Sequence, residues 1–161
     1  MPGYFLDTSA LAKLYHQETG SKYVEALFAS PDSKLVISRL SLVEMESAVA
    51  IKVRMGELDE TGREIARRRL HADVAQGRLK VGPVVEEAHY RRARSLLGRF
   101  GVERGLRTLD SLQLAIALDL RDAGLISVFV ASDHRLCQVA NACGFSTIDP
   151  SDPGMAVAIV P

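Results

Sequence analysis

Along this chain, short apolar runs alternate with longer stretches whose apolar side chains recur three or four positions apart, the spacing of one helix face. Tyr4-Phe5-Leu6 reads as a strand, and residues 8–15 as a helix entered through Asp7, Thr8 and Ser9. Tyr23, Val24, Leu27 and Phe28 mark a second helix over 20–30, and Pro31-Asp32 turns the chain into a buried strand at Leu35-Val36-Ile37. A long helix is expected to begin near Ser41 and run to about Met55, with Gly56 as its stop, and a more polar one to cover 59–76. Leu79-Lys80-Val81 is a short strand, followed by helices over 85–100, ended by Gly101, and over 108–123, ended by Gly124. Val128-Phe129-Val130 is the clearest strand; a helix over 133–143 stopped by Gly144 and a last strand at Thr147-Ile148 complete the pattern. Strands separated throughout by helices need crossover connections, which give parallel pairs covered on both faces. The expected class is therefore α/β, a three-layer α/β/α fold with a central, mainly parallel sheet.

The 161 residues fit one domain over 1–161, with a core over about 3–149 and a tail over 150–161 set off by Pro150 and Pro153. That apolar tail, Met155 to Val160, reads as an edge strand or a cover for a partner's surface. Hydrophobic residues at 47% and charged residues at 25% exclude a disordered or fibrous chain. No apolar run approaches the roughly 20 residues that span a bilayer, and Asp7 interrupts any signal-like start, so a cytoplasmic protein without membrane contact is expected. Cys137 and Cys143 read as reduced core thiols, and the scattered His16, His71, His89 and His134 make no zinc pattern.

Net charge is zero but unevenly distributed: residues 1–58 carry 6 basic and 7 acidic side chains, residues 59–107 carry 12 and 7, and residues 108–161 carry 2 and 6. The arginines of the basic middle, Arg67, Arg68 and Arg69 foremost, could track a phosphate backbone. They could equally form a solvated helix face paired with Glu60 and Glu64.

In open parallel sheets, ligands sit beyond the carboxyl ends of the strands. Asp7 and Asp133 directly follow strands there, and Glu44 and Asp110 begin helices whose N-termini face the same edge. Taken singly, each acid also reads as a helix cap: Ser41 and Glu44 have the spacing of a capping box, and Asp110 suits a helix dipole. Capping does not account for Asp110 in Leu109-Asp110-Ser111-Leu112-Gln113-Leu114-Ala115-Ile116, a helix apolar on almost every side with no lysine or histidine nearby. A hard cation shared with the other acids would neutralise it, and an oxygen-only donor set selects Mg²⁺ or Mn²⁺. The chemistry such a pocket implies is metal-assisted phosphodiester hydrolysis, and like charges held together should raise at least one carboxyl pKa.

The set Leu6-Asp7-Thr8-Ser9-Ala10-Leu11, Leu42-Val43-Glu44, Leu106-Arg107-Thr108-Leu109-Asp110-Ser111-Leu112-Gln113-Leu114-Ala115 and Ala131-Ser132-Asp133 resembles the PIN-domain ribonucleases, and more closely the VapC toxins of type II toxin–antitoxin systems. The likeness runs in order from Asp7 to about Asp149. It implies a PIN-like fold, an endoribonuclease using Mg²⁺ or Mn²⁺, a homodimer, and a cognate antitoxin that blocks the cleft. On matching positions, Asp7, Glu44, Asp110 and Asp133 would be the catalytic, metal-holding acids, with Ser9 in support. Two positions depart from the pattern: Ala131 replaces a hydroxyl residue, a support that Ser132 could take over, and Gln113 replaces histidine, which should leave the acids untouched.

Glu46 should face away from Glu44, Asp119 should be solvated, and Asp149 should form a turn beside Pro150. An aspartate-based phosphatase would place a further acid where Ser9 stands and a lysine after the late strand. A PIN-like module that only docks on RNA or a partner would have no use for four acids.

Overall fold

The computed structural model describes residues 2–155. In chain order the elements are β1 (Gly3–Leu6), α1 (Thr8–Leu11), a 3-10 turn (Ala12–Leu14), α2 (Ser21–Ala29), β2 (Lys34–Ile37), α3 (Arg39–Arg54), α4 (Glu60–Ala75), β3 (Lys80–Val81), α5 (Glu87–Arg104), α6 (Thr108–Asp122), β4 (Val128–Val130), α7 (His134–Ala142), β5 (Ser146–Ile148) and a closing 3-10 turn (Pro153–Met155). The strands form one sheet in the order β3-β2-β1-β4-β5, and every pair is parallel. The order reverses at β1, so the crevice at the carboxyl ends of β1 and β4 is the topological switch point.

Alternation along the strands builds two cores, one on each face. Phe5, Val36 and Phe129 point to one face, where α5, α6 and α7 contribute Leu96, Phe100, Leu114, Ile116 and Leu136. Leu6, Leu35, Ile37 and Val130 point to the other, against Leu11, Val24, Met45, Val49 and Leu70. The Phe5 and Phe129 rings stack with centroids 5.5 Å apart, and Phe145 follows at 5.6 Å from Phe129. These aromatic contacts clamp β1 to β4 beneath the switch point.

Two boundaries differ from the sequence pattern. The long helix begins at Arg39, with Ser38 as its cap: Ser38 Oγ accepts from the Ser41 amide at 3.0 Å, so the Ser41–Glu44 capping box does not form. The next difference lies in α5, which runs through Gly98 and Gly101 to Arg104 and stops at Gly105, whose φ is 62°. Its buried stripe of Ala93, Leu96 and Phe100 packs against α6, and this packing outweighs the roughly 1 kcal/mol that a helical glycine costs. Residues 8–15 divide into α1 and the 3-10 turn. The edge-strand reading of the tail falls on residues 156–161, outside the described residues. Both cysteines are free, Cys137 buried and Cys143 half-buried. Among the described residues no helix is long and apolar enough to cross a membrane.

Gly3 opens β1 where a Cβ would collide with the Leu125 carbonyl and stand 2.8 Å from Ile126 Cα. Both neighbours are backbone at the entry to β4, so they can yield only by shifting the β1–β4 pair. Gly3→Ala should cost about 1–3 kcal/mol in chemical denaturation. An unchanged denaturation midpoint would show that this strand entry is not tightly packed.

Candidate active site

Asp7 follows β1 and caps α1. Its Oδ2 accepts from the Ser9 amide at 3.2 Å and from Ser9 Oγ at 2.8 Å, while its own amide donates to the Val130 carbonyl at 2.9 Å. Ser9 Oγ also accepts from the Ser132 amide at 3.0 Å, so one hydroxyl ties the end of β1 to the end of β4. Asp133 caps α7, its Oδ1 accepting from the Leu136 amide at 3.1 Å. Capping and site geometry therefore coincide at both residues: the cap fixes the carboxylate that the crevice presents.

Glu44 lies in the second turn of α3, and its orientation comes from α6. Gln113, wholly buried, donates through Nε2 to Glu44 Oε1 at 2.6 Å, with Ser41 Oγ at 3.1 Å and Thr8 Oγ1 at 3.3 Å around the same nitrogen. Gln113 Oε1 accepts from Ser38 Oγ at 2.7 Å. The residue at the position that departs from the family pattern is thus not indifferent to the acids, because it fixes one of them. A fully bonded buried amide of this kind makes the geometry rigid.

Asp110 occupies the first turn of α6 with its side chain 14% exposed, and the cation missing from the sequence argument is Arg107. Arg107 Nε donates to Asp110 Oδ2 at 2.8 Å, and its Nη2 donates to Asp133 Oδ2 at 3.1 Å. The three-residue spacing from Arg107 to Asp110 was visible in the sequence as a helical ion pair; its reach to Asp133 was not.

Asp7, Ser9, Glu44 and Asp110 line one cavity of about 420 Å³, with Lys13, Lys52, Arg107 and Ser132 also on its wall. Asp133 is not on that wall and joins the group at its margin through Arg107. Lys13 is a buried ammonium, bonded to the Thr19 carbonyl at 2.7 Å and to Glu18 at 3.3 Å, and only the folded packing reveals it. Among the described residues, no three acidic, imidazole or thiol side chains converge into a formed metal-binding group. The donors on the wall are nevertheless hard oxygens, and Ser132 Oγ is buried there without a hydrogen-bond partner. This donor chemistry suits a hard divalent cation rather than zinc or copper.

Burial, more than charge repulsion, sets the electrostatics of the cavity. The Asp7 carboxyl is pushed up to about 6, first by burial and only last by the charges of Asp110 and Glu44, while the Ser9 hydrogen bonds oppose the shift. Glu44 is also raised by burial, which the hydrogen bonds from Gln113 and Thr8 partly offset.

Of the two readings of the α4 arginines, the structure bears out the paired helix face. Arg67 pairs with Glu46 at 2.9 Å and Glu64 at 3.3 Å, Arg68 pairs with Glu64 at 3.0 Å, and Arg69 donates to the Leu14 carbonyl at 3.2 Å. Glu46 does face away from Glu44, as the helical spacing required. Asp119 is largely exposed and pairs with His89 at 3.3 Å, and Asp149 forms the expected turn by accepting from the Ser151 amide. Among the described residues, Arg91, Arg94, Arg99, Arg104 and Arg135 are exposed with no carboxylate within 4.0 Å.

Comparison with known proteins gives the family and the fold. The family model of the PIN domain matches residues 4–142. Ribonuclease VapC45 of Mycobacterium tuberculosis is 34% identical over 144 residues, which cover 89% of this chain and 93% of the relative. The fold resembles that of VapC20 of Mycobacterium tuberculosis, a toxin that cleaves the sarcin–ricin loop, with a TM-score of 0.63 at 23% identity over 88% of this chain and 95% of that one. It also resembles VapBC2 from Rickettsia felis, solved bound to a DNA fragment from its promoter, with a TM-score of 0.55 at 14% identity over 86% of this chain and 94% of that one.

The raised Asp7 pKa has a measurable consequence. Below its unfolded value of 3.8 the carboxyl is protonated in both states. Between 3.8 and about 6 the folded chain holds a proton that the unfolded chain has released, so stability falls as pH rises. The loss amounts to roughly 3 kcal/mol by pH 7 if this group acts alone. Asp7→Asn removes the titration. Its unfolding free energy relative to the parent should therefore climb between pH 4 and pH 7; a difference that stays flat across that range would contradict the burial of this charge.

Proposed function

We propose that this chain, which belongs to the PIN-domain family, cleaves RNA phosphodiester bonds with a divalent cation, Mg²⁺ or Mn²⁺, and acts as the toxin of a toxin–antitoxin pair. The single observation that carries this reading is the junction of Asp7, Glu44 and Asp110 on one oxygen-lined cavity at the switch point of the sheet. The sequence identity to Ribonuclease VapC45 supports the nuclease assignment. The fold-level likeness to VapBC2 supports a partner protein, here an antitoxin.

Asp7, Glu44 and Asp110 would hold the cation, with Asp133 completing the set from the margin. When bound, it supplies an activated water and stabilises negative charge on the phosphate oxygens. The chain's own groups prepare that arrangement. Ser9 restrains Asp7, Gln113 restrains Glu44, and Arg107 neutralises Asp110 and Asp133 in its absence. Lys13 and Lys52, held by Glu18, and Arg107, held by Asp110 and Asp133, lie on the cavity wall as donors that an entering phosphate diester could recruit. The unpaired arginines of α5 and α7 offer the wider electrostatic track for RNA.

A homodimer in the cytoplasm completes the reading. Val43, Met55 and Val102, 67%, 67% and 97% exposed, offer apolar surface that a second copy or an antitoxin would cover.

Cleavage of a single-stranded RNA should cease in EDTA and return with Mg²⁺ or Mn²⁺. Asp110→Asn should lose cleavage by at least a hundredfold while remaining folded, and should show a smaller rise in melting temperature on adding Mn²⁺ than the parent does. Full activity in chelator would overturn the metal mechanism. Parental cleavage and an undiminished Mn²⁺ shift in Asp110→Asn would remove that residue from the site.

A further inference from the structure

We propose that a second cavity, between α7, β5 and the end of α5, is a nucleobase subsite. It takes the unpaired base of a nucleotide flanking the cleaved phosphate and favours a base with an exocyclic amino group, such as cytosine, over uracil. This inference rests on the ribonuclease reading and deepens it.

The cavity has a volume of about 260 Å³, and its wall carries Arg104, His134, Gln138, Asn141 and Thr147 with two carboxylates, Asp149 and Asp152. Ligand pockets for drug-sized molecules run from about 300 Å³ upward, so this one suits a single ring system better than a folded segment. His134, Gln138 and Asn141 stand four and three residues apart on α7 and therefore share one helix face. Thr147 belongs to β5, and Asp149 follows directly from its carboxyl end.

Its position follows from the register of the sheet. Val130 of β4 pairs with Ile148 of β5, and the Ala131 amide donates to the Ile148 carbonyl at 3.0 Å. Asp133 and Asp149 thus leave adjacent parallel strands at the same edge, and neighbouring strands lie about 4.8 Å apart. On the other side, Arg104 stands three residues before Arg107, the side chain that joins Asp110 to Asp133. An RNA strand crossing this edge from the carboxylate cavity passes Asp133 and meets the second cavity next.

The lining has the chemistry by which proteins read an unpaired base. Such bases stack on imidazole rings or guanidinium planes and are read by hydrogen bonds along their edges. His134 and Arg104 supply the two kinds of planar surface. Gln138 is oriented between them, its Nε2 bonded to His134 Nε2 at 3.0 Å and its Oε1 accepting from Arg104 Nη1 at 3.5 Å. Gln138 and Asn141 add amide groups that can both donate and accept. Asp149 Oδ1 accepts from the Ser151 amide at 2.8 Å. A carboxylate here accepts from an exocyclic amino group, the readout by which acidic side chains recognise cytosine N4, and it repels the carbonyl oxygen that uracil presents instead.

The test uses the full-length chain without metal. Cytidine and uridine are titrated while backbone amide shifts are followed by NMR, with Asp149→Asn and the exposed-residue variant Gln138→Ala as controls. Cytidine should move the amides of α7 and β5 and bind about tenfold more tightly than uridine. Asp149→Asn should lower that ratio and Asp149→Asn with Asp152→Asn bring it close to one, and Gln138→Ala, which spares the Asp149 turn, should weaken both nucleosides. With Mg²⁺ or Mn²⁺ then added, short single-stranded RNAs differing only in C or U beside the cleaved bond should show the same preference in cleavage. If cytidine binds there but RNA is not cleaved, the nuclease reading falls and the subsite stands. If RNA is cleaved while both nucleosides leave α7 and β5 unmoved, the subsite is overturned and the nuclease reading stands. Contacts from residues 156–160 to Gln138 and Thr147 that persist at saturating cytidine would assign the cavity to the chain's own end and also overturn it.

Discussion

A carboxylate buried at the end of the central strand is the constraint around which the rest is arranged. Asp7 is 5% exposed, and an ionised group so placed is unfavourable unless hydrogen bonds or charges answer it. Its answer is local and incomplete. Ser9 donates twice, yet burial still dominates and the carboxyl remains well above its ordinary range. The residual cost is stored at the position where a cation would relieve it, since a bound ion reverses the local pKa logic. Around Asp7, Gln113 and Arg107 perform the same service for Glu44, Asp110 and Asp133 by different means. A neutral amide fixes one acid through a closed network, and a guanidinium bridges the other two. The amide network is rigid, whereas Arg107, with a side chain 71% exposed, is free to be displaced by a competing cation or to follow a phosphate.

Much of this was legible in the sequence because it follows from period and position. The unbroken apolar runs Tyr4-Phe5-Leu6 and Val128-Phe129-Val130 mark strands buried on both faces, the long connections force parallel pairing, and residues after strand ends lie in the crevice. Asp7 and Asp133 follow from that logic alone. What failed to emerge depends on register between elements distant in sequence. Gln113 reads as one polar residue in an apolar helix, and only the docking of α6 on α3 turns it toward Glu44. The sequence pattern starts α3 at Ser41, three residues beyond Ser38, the serine that caps it. Ser41, read as the cap, instead donates its amide to the cap Ser38, and both hydroxyls join the Gln113 network. Gly101 reads as a stop, but helix contacts on one side outweigh a weak local preference.

The charge distribution shows why a residue count is a poor guide to a binding surface. Residues 59–107 hold an excess of basic groups, but the arginines of α4 spend theirs on Glu46, Glu60 and Glu64 and on the Leu14 carbonyl. Such surface pairs add little stability, about 0–1 kcal/mol each, yet they remove those guanidinium groups from the free field of the molecule. Within this stretch the exposed arginines left without a carboxylate are those of α5, and Arg135 adds one on α7, the helix that packs on β4 and β5.

That placement ties the electrostatics to the sheet. β1 and β4 bring acids to the switch point, while β5, one strand further, brings no such acid to the carboxylate cavity and borders a polar cavity of its own. A parallel sheet fixes the interval between these two sites through backbone hydrogen bonds, whatever side chains the loops carry. The packed rings of Phe5 in β1, Phe129 in β4 and Phe145, the residue before β5, lie beneath, so the core that stabilises the fold also holds the spacing at the edge. Loosening those ring contacts should therefore disturb cleavage and base preference together, whereas changes confined to the Asp149 turn should alter preference alone.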